Sequence, residues 1–153
     1  MAELKKYKML YFVIWASMFF ACLVYSQVPR FMTFEKKAQA ELDMIIVYAV
    51  AGMSLAIFLA GIAYFLYSAA PDKLKQYGDI KISLAKLQAA AITSIAMFES
   101  ISVFGLTLIF IGFSYKYALP FFVASPVGLL IQLAMTLRVF GALESDPRSL
   151  IQK

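Results

Sequence analysis

Histidine is absent from this 153-residue sequence, and cysteine occurs only once, at Cys22. A single cysteine excludes an intrachain disulfide, and we read Cys22 as a small apolar residue that faces lipid or a neighbouring helix. Without histidine or paired cysteines, the usual ligand sets of zinc and haem and the common hydrolytic triads lack their parts. No glycine-rich phosphate-binding loop occurs either. We therefore expect a protein that is not an enzyme and that holds no metal or cofactor.

Charge is also scarce, because charged residues make up 15% of the chain and hydrophobic residues 63%. This composition lies far from that of soluble proteins and is typical of a chain solvated by lipid. Four apolar runs, at about 7–27, 44–69, 84–113 and 117–143, each reach the roughly 20 helical residues that cross a hydrocarbon core of about 30 Å. The predicted fold is all-α: residues 1–153 form one domain, an integral membrane four-helix bundle.

Lysine and arginine are distributed unevenly between the two ends of these runs. Ten of them fall at the amino terminus, in the second connection and near the carboxyl end, and four fall on the opposite side. The positive-inside rule then predicts that both termini are cytoplasmic. The net charge of +5 is explained by this topology and by attraction to anionic headgroups. We expect membrane lipids among the partners and no nucleic acid.

One carboxyl group, that of Glu99, interrupts the third run in the stretch "AMFESISVFGL". Its distance from both ends of the run places it near the bilayer centre, where an acid costs about 2.5 to 3.5 kcal/mol. Lys86 lies several turns away and Arg138 is near the membrane edge, so no cation is expected beside it. We therefore expect an uncharged carboxyl that hydrogen-bonds to neighbours at the same depth. The candidates carry a hydroxyl or a carbonyl freed by Pro126: Ser54, Ser100, Ser102, Ser125 and Phe122.

Small residues follow one another at helical spacing in the second run, at Gly52, Ala56 and Ala60. Such spacing lets two helix backbones approach closely in lipid. We expect this stripe to pack either against the small side of the third run, which includes Ala85 and Ala89, or against another protomer. The tyrosines and Trp15 lie mostly near the ends of the runs and are typical of interfacial belts.

The string "ESISVFGL" resembles the carboxyl-terminal helix of the c subunit, or proteolipid, of rotary ATP synthases. In that family the ion-binding acid precedes an aromatic residue by five positions, followed by Gly-Leu, and Glu99, Phe104, Gly105 and Leu106 match this pattern. Ser100 stands where sodium-binding members place a hydroxyl ligand. With the later "YALPFF", the string is also similar to a group of small four-span bacterial membrane proteins. The resemblance covers the hairpin of the second and third runs, and it implies ion binding at Glu99 and Ser100 and a bacterial cytoplasmic (inner) membrane.

Two functions remain open at this point. In the first, the chain is a proton-binding subunit of a transport or energy-converting membrane complex, with sodium as a less favoured ion. In the second, it is a non-catalytic structural or accessory subunit of a larger complex, and Glu99 is an interhelical hydrogen-bond fastener. Both predict other membrane subunits or further copies of the chain as partners. A lipid- or quinone-binding module is permitted by the aromatic content, but no residue pattern points to it.

Overall fold

The computed structural model describes residues 2–31 and 44–145, which form five helices and, within these ranges, no strand. They are listed in chain order: α1 (Ala2–Phe31), α2 (Met44–Ser68), α3 (Pro71–Gln76), α4 (Ile80–Ile111) and α5 (Tyr115–Ser145). All except α3 are long and apolar enough to cross a membrane, which confirms an all-helical chain with four candidate spans. Helices α1, α4 and α5 begin before the predicted runs, and α1 and α5 also end after them. These extensions contain Lys and Glu, which are good helix formers and continue a helix beyond its lipid-solvated part.

Helix α4 is the centre of the bundle and contacts α1, α2 and α5. Its antiparallel neighbour α5 follows after a tight turn in which Gly112 adopts a left-handed φ of 112°. There the Gly112 and Phe113 N–H groups donate to the Ile109 and Leu108 carbonyls, at 2.9 and 3.0 Å. A residue with a Cβ is strained at such a φ, so glycine permits this helix end. Helix α1 packs on α4 and α5, and α2 packs mainly on α4.

The connection between α2 and α4 is held against the bundle by the short helix α3. Leu74 of α3 is fully buried, and its carbonyl accepts a hydrogen bond from Ser83 Oγ of α4 at 2.6 Å. Asp79 caps α4, because its side chain accepts from the Lys81 N–H at 2.8 Å. This end of the molecule is therefore ordered by side-chain bonds as well as by chain connectivity.

The ring of Phe98 on α4 fills a space left by two glycines on different helices. A Cβ added at Gly128 of α5 would lie 2.6 Å from the ring, and one added at Gly61 of α2 would lie 3.2 Å from it. The Phe58 ring packs beside it, with 5.2 Å between ring centroids, and Phe98 is fully buried. Ser94, one turn earlier in α4, donates to the Gly61 carbonyl at 3.0 Å. These contacts set the rotation of α4 about its own axis.

The stripe of Gly52, Ala56 and Ala60 is exposed on the outside of the described chain, and a Cβ at Gly52 would meet nothing within 4 Å. The prediction that it packs against the third run is therefore wrong, and Ala85 and Ala89 are exposed as well. Helix α2 instead buries Val47, Ser54, Gly61 and Phe65. The reason is that α2 and α4 meet through the rings of Phe58, Phe65 and Phe98. A large ring packs into the space beside a small residue on the facing helix, so two stripes of small residues do not face each other here. Packing of the stripe against another protomer stays a prediction.

Gly128→Ala should lower the free energy of unfolding by about 1 to 3 kcal/mol, because the new methyl group would overlap the base of the Phe98 ring. Gly52→Ala is the matched control, since it adds the same methyl group to open space and should leave stability unchanged or slightly raised. Reversible unfolding in mixed micelles measures both. Equal stability of the two variants would contradict the packing described for Phe98.

Candidate functional site

Glu99 follows Phe98 directly, so its side chain points about 100° further around α4, toward α1. Its carboxyl group is half-buried, and Glu99 Oε1 accepts a hydrogen bond from the hydroxyl of Tyr25 on α1 at 3.2 Å. Within residues 2–31 and 44–145 no lysine or arginine pairs with it. The ion pair found in these ranges joins Lys8 and Glu144 at 3.2 Å, far along the bundle. Among the described residues, the side-chain partner of the Glu99 carboxyl group is therefore the phenol of Tyr25.

Glu99 lies close to the middle of the long helices. It is about 18 Å from the end of α4 at Ile111, at 1.5 Å per residue, and a hydrocarbon core is about 30 Å thick. Ser125 lies at a similar depth, about 15 Å from the start of α5 at Tyr115. Side chains from α1, α4 and α5 therefore meet at one level.

Five side chains form what we name the central polar cluster: Cys22, Tyr25, Glu99, Ser102 and Ser125. Cys22 Sγ is 3.1 Å from Ser125 Oγ, and either atom could donate the hydrogen. Ser102 and Glu99 both lie near the Cys22 sulfur. Ser102 is fully buried, and its hydroxyl has no hydrogen-bond partner among the described residues. The cluster therefore holds one carboxyl group, one phenol, two serine hydroxyls and a thiol, and no lysine or arginine.

The structure brings together only some of the residues predicted as partners of Glu99. Ser102 and Ser125 belong to the cluster, but neither bonds to the carboxyl group: Ser125 pairs with Cys22 and Ser102 is unpartnered. Ser54 is also unpartnered and lines a cavity between α2 and α5 instead. The carbonyl of Phe122 forms no described bond with Glu99, and the Phe122 ring packs with Ile109 and Ala118.

These four direct partnerships are therefore wrong. Glu99 is turned toward Tyr25 of α1 and away from Ser54, Phe122 and Ser125 on α2 and α5. Ser102 lies on α4 itself, and its hydroxyl forms no bond with the carboxyl group. Ser100 Oγ donates to the Met97 carbonyl of its own helix at 2.7 Å. Such back-bonding is usual for a helical serine. It leaves the lone pairs of the Ser100 oxygen free, so a role as ion ligand stays a prediction.

Sequence reasoning missed Tyr25 and Cys22, the two cluster members on α1. Tyr25 lies near the end of the first apolar run and was predicted to belong to an interfacial belt, yet its hydroxyl reaches inward to Glu99. Their spacing in the sequence could have indicated them. The residues on this face of α1 are separated by three, four or seven positions, which places them on one side of a helix: Tyr11, Trp15, Cys22 and Tyr25. Polar or aromatic residues repeated on one face of a span indicate contact with another helix.

A second set of polar contacts fastens α1 to α5 nearer the chain termini. Gln132 Oε1 accepts from the hydroxyl of Tyr11 at 2.6 Å and from that of Thr136 at 3.1 Å. Trp15 Nε1 donates to the Leu129 carbonyl at 2.7 Å. Gln132 and Thr136 are fully buried. These bonds are shorter and better shielded than the bond between Tyr25 and Glu99.

Tyr25→Phe should lower the free energy of unfolding by about 0.6 kcal/mol, and by at most about 1.7 kcal/mol, which is the range for interhelical hydrogen bonds in membranes. Tyr48→Phe is the control, because Tyr48 is 70% exposed on α2. In the Glu99→Ala background the effect of Tyr25→Phe should vanish, as a double-mutant cycle in micelles would measure. A Tyr25→Phe effect that persists there would show that the hydroxyl acts through some other group.

Comparisons of this chain with protein-family models, with curated proteins and with solved structures gave no match. Its function has to be argued from its own residues and their geometry. The central polar cluster is the one place in the described bundle where a carboxyl group lies at mid-span depth, which makes it the candidate functional site.

Proposed function

We propose that this chain is a proton-binding, c-subunit-like subunit of a membrane complex that transports ions or converts energy, and that the Glu99 carboxyl group takes up and releases the proton. One observation supports the proposal above the others. Glu99 is half-buried at mid-span depth, it has a neutral hydrogen-bond donor in Tyr25, and it has no cationic partner among the described residues. An ionisable residue inside a membrane span indicates a functional site by default.

The Tyr25 hydroxyl suits a group that changes its protonation state. A carboxylate only accepts hydrogen bonds, whereas a carboxylic acid also donates one. A phenol can donate to the first and accept from the second, so the contact at 3.2 Å survives proton uptake and release. The unpartnered Ser102 hydroxyl nearby offers a further group that can reorient. Neither group would fix a charge on Glu99 as a lysine or arginine would.

The degree of burial of Glu99 supports the proton-binding role over the role of a structural fastener. Ser94 and Gln132, which join helices away from the central polar cluster, are fully buried. Glu99 is only partly buried, so a neighbouring subunit can contact its carboxyl group at that depth and exchange a proton with it. The alternative, a structural or accessory subunit in which Glu99 merely fastens α1 to α4, is favoured by the bond to Tyr25 alone.

The proposal includes the setting of the protein. We place both termini in the cytoplasm and the chain in a bacterial inner membrane, with the basic end of the bundle facing anionic cytoplasmic lipid. The complex would consist of other membrane subunits or further copies of this chain. The exposed stripe of Gly52, Ala56 and Ala60 is the surface proposed for that contact.

A hydrophobic carbodiimide, which attacks protonated carboxyl groups in apolar surroundings, tests proton binding at Glu99. Mass spectrometry should find one modified carboxyl in the spans, and its yield should fall as the pH rises because the reactive form is lost. Glu99→Gln should abolish the modification. Glu144→Gln is the control and should preserve it, since Glu144 is exposed and paired with Lys8. A Glu99 that stays unmodified at every pH would contradict the proposal and leave the fastening role.

The subunit contact is tested separately with Gly52→Leu and Ala56→Leu. Both positions are exposed, so the larger residues should leave the unfolding of the isolated chain unchanged. They should dissociate any assembly joined through the stripe, as cross-linking in native membranes would show. Intact assemblies in both variants would exclude the stripe as the contact.

A further inference from the structure

An apolar groove of about 360 Å³ lies between the end of α2 and the last turns of α5. It exists because α2 and α5 touch only lightly and the chain leaves α2 at Ser68. Phe65 and Ala69, both buried, form part of its floor, and the exposed Leu66 stands at its edge. Met135 and Val139 of α5 form part of the opposite wall. Such a lining suits a hydrocarbon chain.

Arg138 is the one charged residue among those that line this groove. It lies about 35 Å along α5 from Tyr115, at 1.5 Å per residue, whereas a hydrocarbon core is about 30 Å thick. Its guanidinium group therefore reaches headgroup level while Met135 lies deeper. The side chain of Arg138 is exposed, and it forms no ion pair with a carboxylate of the described ranges. The groove thus presents a positive charge above an apolar slot.

The surroundings of the groove add positive charge and keep its shape. Lys73 of α3 lies over the Tyr67 ring, with 2.9 Å from Nζ to the ring centroid, which fixes a second cation at the junction of α2 and α3. Helix α3 carries Asp72 against two lysines, so its net charge is positive. The bond from Ser83 to the Leu74 carbonyl ties α3 to α4. The wall that includes Pro71 is therefore present before any ligand binds.

We propose that this groove binds one anionic phospholipid, with the lipid phosphate on the Arg138 guanidinium and an acyl chain along the groove. A planar guanidinium that donates two parallel hydrogen bonds is well matched to a phosphate. Basic pockets between membrane helices on the cytoplasmic side bind acidic headgroups by the same chemistry. A free phosphate ion would leave the apolar lining uncovered, whereas a phospholipid contacts both the Arg138 guanidinium and the apolar lining. Lipid binding in this groove does not depend on proton binding at Glu99.

Native mass spectrometry of the full chain in detergent, with added phosphatidylglycerol or phosphatidylcholine of the same acyl chains, tests the site. Wild type should retain one phosphatidylglycerol per chain. Arg138→Gln should weaken its retention about fivefold, which is the effect of one basic residue at an anionic surface, and bring it near that of phosphatidylcholine. Ala142→Phe should weaken retention of both lipids, because it fills the groove and leaves Arg138 in place.

Lys86→Gln is the matched control, because Lys86 is exposed at the same end of the bundle but does not line the groove. It should retain phosphatidylglycerol as wild type does. If Arg138→Gln and Lys86→Gln weakened phosphatidylglycerol retention equally, the retention would result from non-specific electrostatic attraction, and the proposed site would be wrong. Full retention by Ala142→Phe, or displacement of the lipid by millimolar inorganic phosphate, would overturn it as well. Circular dichroism checks that each variant is folded.

Discussion

The ring of Phe98 occupies a space that glycine leaves free on two helices at once, Gly61 on α2 and Gly128 on α5. Lipid supplies no hydrophobic force between helices, so close packing of this kind has to hold a membrane bundle together. Because the ring fits only between these two glycines, it also restricts α4 to one orientation about its own axis. Because Glu99 is the next residue, that rotation turns the acid toward Tyr25 of α1. The packing of an apolar side chain thus decides the surroundings of the only acid near mid-span in the described bundle.

The polar groups of the described bundle fall into two kinds with different consequences. Tyr11, Gln132 and Trp15 form short, buried hydrogen bonds that join α1 to α5, and these bonds involve no carboxyl or amino group. Glu99 has a longer bond, partial exposure and a phenol as its partner. Groups of the first kind stabilise one arrangement of helices, because a broken bond in hydrocarbon leaves a costly unpaired atom. The second kind tolerates a change of protonation, which is why the functional proposal rests on Glu99.

The sequence was sufficient for the four candidate spans, because a span depends on hydropathy and chain length. It was insufficient for the rotation of the helices. The stripe of Gly52, Ala56 and Ala60 looked like a packing face, but α2 packs through Gly61 and Phe65, since the size of the Phe98 ring decides which small residue is used. For the same reason Ser54 was a wrong partner for Glu99. Tyr25 was missed because a tyrosine near the end of a span is compatible with lipid headgroups as well as with an inward contact.

Infrared difference spectroscopy of the protein in lipid, recorded while the pH is stepped, is the sharpest test of proton binding at Glu99. A protonated carboxyl group in apolar surroundings has a carbonyl stretch that is lost on ionisation. We expect one such band that disappears reversibly as the pH rises and is absent in Glu99→Gln. The band should shift in Tyr25→Phe, because the hydrogen bond between the two side chains would be lost. A spectrum in which no carboxyl band depends on Glu99, or in which the band stays unchanged at every pH, would contradict proton binding at Glu99.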